Sequence, residues 1–212
     1  MRAILKSLGR ALVLSATAAA VVGLAAAPVL AATTWTVKPG GTFKGTAGKT
    51  VVTDTTKGLS VPCTSSVMNG SLKTGSGLSG TGIGTVTSLA FKGCSVAGFT
   101  VSVTITGKMP LNATAYDATT KVATIKITKI HGTFSVSSLG CSATIDGTGA
   151  TAHNGKVTAK FANLTDILKV LASGNLHLYN VSAGCQSAVA SGDAVKFTSS
   201  YKLSPTQHIH SP

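Results

Sequence analysis

Four cysteines and five histidines are the residues of this 212-residue chain best suited to chemistry, and their spacing limits what that chemistry is. Cys63, Cys94, Cys141 and Cys185 form no C-x-x-C pair, and no histidine lies near any of them in sequence. That spacing speaks against a zinc site or an activated thiol and leaves two disulfides as the natural use. Three connectivities are open to four cysteines. Cys63-Thr-Ser-Ser and Cys141-Ser-Ala-Thr start alike, and each is answered downstream by a strand-like run ending in Gly-Cys, at Cys94 and at Cys185. If the halves are two copies of one plan, a two-fold pseudo-repeat, the pairing is Cys63–Cys94 and Cys141–Cys185. Closed loops of about 30–45 residues would then stabilise by about 4 kcal/mol each in the chain-entropy account.

The histidines offer less. His153 precedes the Asn154-Gly155 turn and reads as a solvated turn residue. His177 alternates with Tyr179, so one strand face carries both, in a structural role rather than as a base. His208-Ile-His210 could chelate, but two ligands near the end of a loose segment with no carboxylate make a poor metal site. His131 stands in no motif. Gly75-Ser-Gly77-Leu-Ser-Gly80 fits the dinucleotide pattern, yet no helix opens behind it and no acid lies between Asp54 and Asp117. Gly48-Lys49-Thr50 lacks the first glycine of a phosphate loop, because position 43 is Phe43. No G-x-S-x-G elbow occurs, and nothing raises Ser–His–Asp catalysis above background. No catalytic, cofactor-binding or metal-binding residue is therefore assigned, and no cofactor is expected.

Charge says more. Glutamate is absent, and the only arginines are Arg2 and Arg10. Five aspartates, Asp54, Asp117, Asp146, Asp166 and Asp193, are all the acid there is, so paired-carboxylate hydrolysis and acidic metal cages have little to draw on. Beyond residue 31 the chain sets 15 lysines against these aspartates, a balance of about +10. Such a field favours anionic partners, an envelope polymer or an acidic lipid surface, although a merely soluble basic face is the plainer reading. Specific nucleic-acid recognition would want arginine and stacking aromatics, and beyond residue 31 there is no arginine and few aromatics.

The elements that must hold these residues are strands. Phe99-Thr-Val-Ser-Val-Thr-Ile-Thr, Val122–Ile130 and Lys156–Phe161 alternate apolar with hydroxyl or lysine residues, the period of a half-buried strand. Similar runs lie at Trp35–Val37, Thr50–Asp54, Leu59–Cys63, Val67–Lys73, Val86–Lys92, Leu111–Tyr116, Thr133–Val136, Ser142–Asp146, Leu176–Val181 and Ala194–Leu203. Residues 164–172 fit a helix or a strand, and the all-β context favours a strand turning at Ser173-Gly174 into a hairpin with Leu176–Val181. About a dozen short strands with frequent turns predict an all-β fold, an antiparallel β-sandwich or β-barrel, with two disulfides.

The basic start, the apolar run Ala11–Ala27 and the small residues around Ala31 make residues 1–31 a signal peptide. That leaves a single β-rich domain over 32–204, a flexible C-terminal tail over 205–212 and no transmembrane anchor after cleavage. The Ala-rich leader, Trp35-Thr-Val-Lys-Pro-Gly-Gly, Cys63-Thr-Ser-Ser, the Gly75–Gly84 stretch, Cys141-Ser-Ala-Thr-Ile-Asp-Gly and Gly174-Asn-Leu-His-Leu-Tyr-Asn-Val together resemble uncharacterised secreted proteins of high-GC Gram-positive bacteria. That resemblance implies export and a β domain and carries no activity. The expectation is a secreted, non-enzymatic binding or structural module, extracellular or envelope-associated. A carrier of a small apolar ligand within a barrel or between sheets is the alternative, and a secreted hydrolase comes third.

Overall fold

The structure, a computed structural model, describes residues 34–212, so the signal peptide read over 1–31 lies outside the described residues. The described chain is all-β. Its strands are β1 Thr34–Lys38, β2 Gly41–Ala47, β3 Thr50–Asp54, β4 Ser60–Leu72, β5 Gly75–Ser79, β6 Gly84–Val96, β7 Phe99–Thr106, β8 Met109–Asp117, β9 Val122–Val136, β10 Cys141–Asp146, β11 Gly155–Ala162, β12 Ile167–Gly174, β13 Leu176–Tyr179, β14 Ala194–Ser204 and β15 His208–His210. Two single turns of 3₁₀ helix, Ser137–Leu139 and Ala183–Cys185, are the only helix among the described residues.

Every strand pairing is antiparallel, and the pairings close on themselves twice. One ring runs β2–β4–β6–β8–β9–β11–β12–β14 and back to β2. The other runs β3–β4–β6–β7–β9–β10–β13–β14 and back to β3. Strands β4, β6, β9 and β14 are long enough to serve both, each pairing with one set of neighbours along its first half and another along its second. The fold is thus two barrels joined end to end, and closure leaves few free sheet edges.

These shared strands read as shorter pieces in the sequence because inward polar residues interrupt the apolar alternation. In β4, Ser66 points inward and is fully buried. Its hydroxyl bonds Thr50 Oγ1 at 2.7 Å and donates to Tyr201 Oη at 2.8 Å, while Thr50 also meets Ser199 Oγ at 2.9 Å. A buried hydroxyl costs little once it is hydrogen-bonded, so this cluster sits where apolar residues are otherwise required. In β9 the interruption is a bulge, with Lys129 at φ 59 where the register against β11 shifts.

The first ring is packed with Phe43, Leu72, Leu111, Ile125, Phe161 and Leu203, leaving a void of only about 10 Å³. A small sheet, ordered β15-β1-β5, contributes Trp35, Val37 and Ile209 to the same core. The second ring encloses a wholly apolar cavity of about 40 Å³ among Met68, Val103, Ile127, Ile145, Val157 and Phe197.

Both disulfides form as expected. Cys63 and Cys94 face each other directly across β4 and β6, and Cys141 at the start of β10 joins Cys185 in the second 3₁₀ turn. Such bridges belong to an oxidising compartment. Their settings differ, one cross-strand and one strand-to-turn, so the likeness of the two Cys segments does not extend to how the bridges are built.

Two local expectations are corrected. Residues 167–174 are a strand, but β12 pairs with β11 and β14 whereas β13 pairs with β10 and β14, so no β12–β13 hairpin exists. The chain crosses between neighbours at Gly174, where a Cβ would collide with the Lys156 carbonyl. Residues 205–212 are no loose tail: Gln207, Ile209 and Ser211 are buried, and β15 pairs with β1. Asp166 Oδ1 accepts the Gln207 N–H at 3.1 Å, and Asn163 Oδ1 accepts that of Ile209 at 2.6 Å. A three-residue strand is too short to register as a period, and its partners lie some forty residues upstream.

Candidate anion-binding surface

Burial divides the charged residues by sign. Asp54, Asp146, Asp166 and Asp193 are buried, and only Asp117 is exposed. All 15 lysines beyond residue 31 are exposed. The aspartates are spent on the backbone. Asp54 Oδ1 accepts the N–H groups of Thr56 and Lys57 at 2.8 and 2.9 Å, and Asp193 Oδ2 accepts that of Ala190 at 2.6 Å. Burial disfavours ionisation of Asp166, but the Gln207 N–H, Lys202 and Thr206 outweigh it and hold its pKa below the ordinary value. Lys202 is the one lysine among the described residues paired with a carboxylate, at 3.2 Å from Asp166.

The outer face of the first ring collects lysines from adjacent strands. Lys160 on β11 lies directly opposite Lys169 on β12. Lys126 on β9 is opposite Thr158, hence diagonal to Lys160. Lys202 on β14 is opposite Ile167, diagonal to Lys169, and Lys44 on β2 is opposite Ser204, diagonal to Lys202. Alternation along each strand puts all five outward, in one zigzag belt across β9, β11, β12, β14 and β2. Like charges placed directly opposite destabilise a strand pair by a few tenths of a kcal/mol or more. The Lys160–Lys169 pair is an arrangement that a bound anion would relieve.

Among the histidines the structure makes a grouping that sequence reading missed. His131 from β9, Asp146 from the end of β10 and His153 from the following loop bring possible ligand atoms within 4.8 Å of one another. Asp146 is already saturated: Oδ1 accepts Gly147 N at 2.6 Å and Asn154 N at 3.1 Å, while Oδ2 accepts His153 N at 3.0 Å and meets His131 Nδ1 at 2.8 Å. Burial pushes the Asp146 pKa up, yet these four donors together bring it below the ordinary range. The imidazoles of His131 and His153 lie against each other, centroids 4.0 Å apart and tilted by 33°. A metal would take Asp146 from the bonds that hold loop 147–154, and the donor set fits a structural staple better. No Ser, Thr or Cys side chain among the described residues hydrogen-bonds either ring, and the contacts of the pair are those with Asp146.

His177 and Tyr179 do share a face, and both bond the Gly147 carbonyl, at 3.0 Å each. His153 is exposed as expected, at φ 47. The Gly75–Gly80 motif is the edge strand β5 against β1, and a Cβ at Gly80 would run into the Trp35 indole and the Ala113 carbonyl. Close packing explains that glycine. Trp35 and Tyr201 are core residues. The only signal for the lysine belt in sequence was strand alternation itself; which strands lie side by side was not in it.

The fold and surface define a disulfide-bridged double β-barrel with four of its five aspartates buried and its lysines outside. No protein-family model, no curated protein and no solved structure matches the chain.

Proposed function

We propose that this chain is an exported, non-enzymatic binding module whose lysine-covered barrel adheres to an anionic polymer of the cell envelope. One observation carries this reading: 15 exposed lysines share the surface with a single exposed aspartate. The disulfides and the signal-peptide character of residues 1–31 support export. Among the described residues no helix is long and apolar enough to cross a membrane. The test is sedimentation of the purified, disulfide-bonded protein with Gram-positive wall before and after its phosphate polymers are stripped. Binding that is lost on stripping and in high salt supports the reading, and binding only to anionic vesicles replaces the polymer with lipid. No binding to either at low salt refutes the envelope role.

A carrier of a small apolar ligand draws on the second ring's cavity, which has no polar lining. Its size argues the other way. About 40 Å³ is far below the roughly 150 Å³ that accommodates benzene, so a ligand would have to part the core. Native mass spectra of protein from the producing culture carrying an added organic mass would revive it.

A further inference from the structure

The Asp146 staple also fixes two imidazoles beside each other. Asp146 is fully buried, and the donors around it hold its pKa below the ordinary value, so it is a carboxylate at neutral pH. An ionised carboxylate only accepts hydrogen bonds. His131 Nδ1, 2.8 Å from Oδ2, therefore carries the proton, and in the neutral ring the lone pair sits on Nε2. An acid placed in this way behind an imidazole fixes its tautomer and raises its basicity, as it does behind metal-ligating histidines. The His131 side chain is 20% exposed, so the ring is not sealed inside the protein.

The same carboxylate oxygen accepts the His153 backbone N–H at 3.0 Å. His153 is thus anchored by its main chain while its side chain stays exposed. The two ring centroids are 4.0 Å apart, and one possible ligand atom from each of His131, Asp146 and His153 lies within 4.8 Å of the others. Two nitrogens on a tetrahedral zinc ion stand about 3.3 Å apart. Rotation of the exposed His153 side chain supplies a movement of that size with its backbone still held on Asp146. The ligands are then the two rings, and Asp146 keeps the bonds that hold loop 147–154.

From this geometry we infer that His131 and His153 form a binding site for a divalent transition metal ion, Cu²⁺ or Zn²⁺, with Asp146 as the residue that positions both. Imidazole nitrogen suits these ions. Ca²⁺ and Mg²⁺ want several free oxygens, and those of Asp146 are already committed. Two protein ligands leave the other coordination positions to water. Cu²⁺ should bind more tightly than Zn²⁺, following the general order for such donors. The site stands apart from the lysine belt, so it and the polymer reading can fail separately.

The test is titration of the purified, disulfide-bonded protein, free of any affinity tag, with Cu²⁺ and with Zn²⁺. One Cu²⁺ per chain is expected, with two nitrogens coordinated in its electron paramagnetic resonance spectrum. Zn²⁺ should shift the His131 and His153 imidazole NMR signals saturably and leave those of His208 and His210 in place. His153→Ala, at an exposed position, should weaken Cu²⁺ binding at least about tenfold and remove one nitrogen from the spectrum. His208→Ala/His210→Ala should change neither. Asp146→Asn should weaken binding about tenfold with both nitrogens still on the metal, and full affinity in that variant removes the positioning role. No saturable binding of either ion, full binding by His153→Ala, or loss of binding in the His208/His210 variant overturns the site.

Discussion

Replacing Asp54 by asparagine should stabilise the protein at neutral pH, an unusual outcome for a buried, hydrogen-bonded residue. Asp54 Oδ1 holds the N–H groups of Thr56 and Lys57, but Oδ2 is buried without a partner among the described residues. Burial raises the Asp54 pKa above its ordinary value of 3.8 against the pull of those N–H groups, and the neighbouring Asp193 carboxyl raises it further. Two ionised carboxylates facing each other have acceptors and no donor, so the pair is satisfied only when one carries a proton. A folded-state pKa above the unfolded one means a contribution fully present below the unfolded pKa and lost as pH rises through the folded pKa. Asparagine keeps the oxygen for Thr56 and Lys57 and offers a permanent N–H donor to Asp193. Since an orphaned buried acceptor costs about 1–3 kcal/mol, Asp54→Asn should gain about 1–2 kcal/mol at pH 7. Guanidinium unfolding followed by Trp35 fluorescence, repeated from about pH 3 to pH 8, measures this, and the gain should vanish towards the acid end. A loss of stability at pH 7, or a gain that persists unchanged in acid, would refute the shared-proton reasoning.

The remaining expectations use the same assay. Asp146 and Asp166 have lowered pKa values, so their contribution is present above the unfolded carboxyl pKa and disappears as pH falls through the folded values. Asp146→Ala leaves the N–H groups of Gly147, His153 and Asn154 without their acceptor and should therefore cost about 1–3 kcal/mol or more at pH 7 and flatten the acid limb, whereas a flat limb in the wild type would contradict this. Truncation after Ser204 removes Ile209 and Gln207 from the capped end and should cost about 2–5 kcal/mol and raise Trp35 solvent quenching; unchanged quenching would show that β15 does not hold the cap. Replacing Cys141 and Cys185 by serine should cost about 2–5 kcal/mol, read as a lower denaturation midpoint.

Much of this architecture was legible along the chain. Alternation located Val157, Ala159 and Phe161 inside β11 with Lys156 and Lys160 outside, and the Gly-Cys endings pointed to the bridges that form. What escaped was polar and non-local. Ser66 and Thr50 look like surface hydroxyls until Tyr201 and Ser199 arrive from far along the chain to satisfy them. The burial of β15 rests on Asn163 and Asp166, and no pattern within the last eight residues announces it. His131, Asp146 and His153 come together only because β9 pairs with β10 and the next loop folds back over both. The belt is a product of strand order, which composition does not contain. The absence of glutamate, and of arginine beyond residue 10, was by contrast visible at once, and the burial of four of the five aspartates turns that composition into a surface of nearly one sign.

The central claim is tested most directly by the affinity of the disulfide-bonded protein for immobilised poly(glycerol phosphate) across a salt series. The belt lysines Lys44, Lys126, Lys160 and Lys169 would be changed together to glutamine, and each should contribute through release of the polymer's condensed counterions. Affinity falling steeply with salt, and the substituted protein binding at least about tenfold more weakly with a shallower salt slope, is the predicted result. Binding that ignores salt, or that survives the four substitutions intact, would contradict the account.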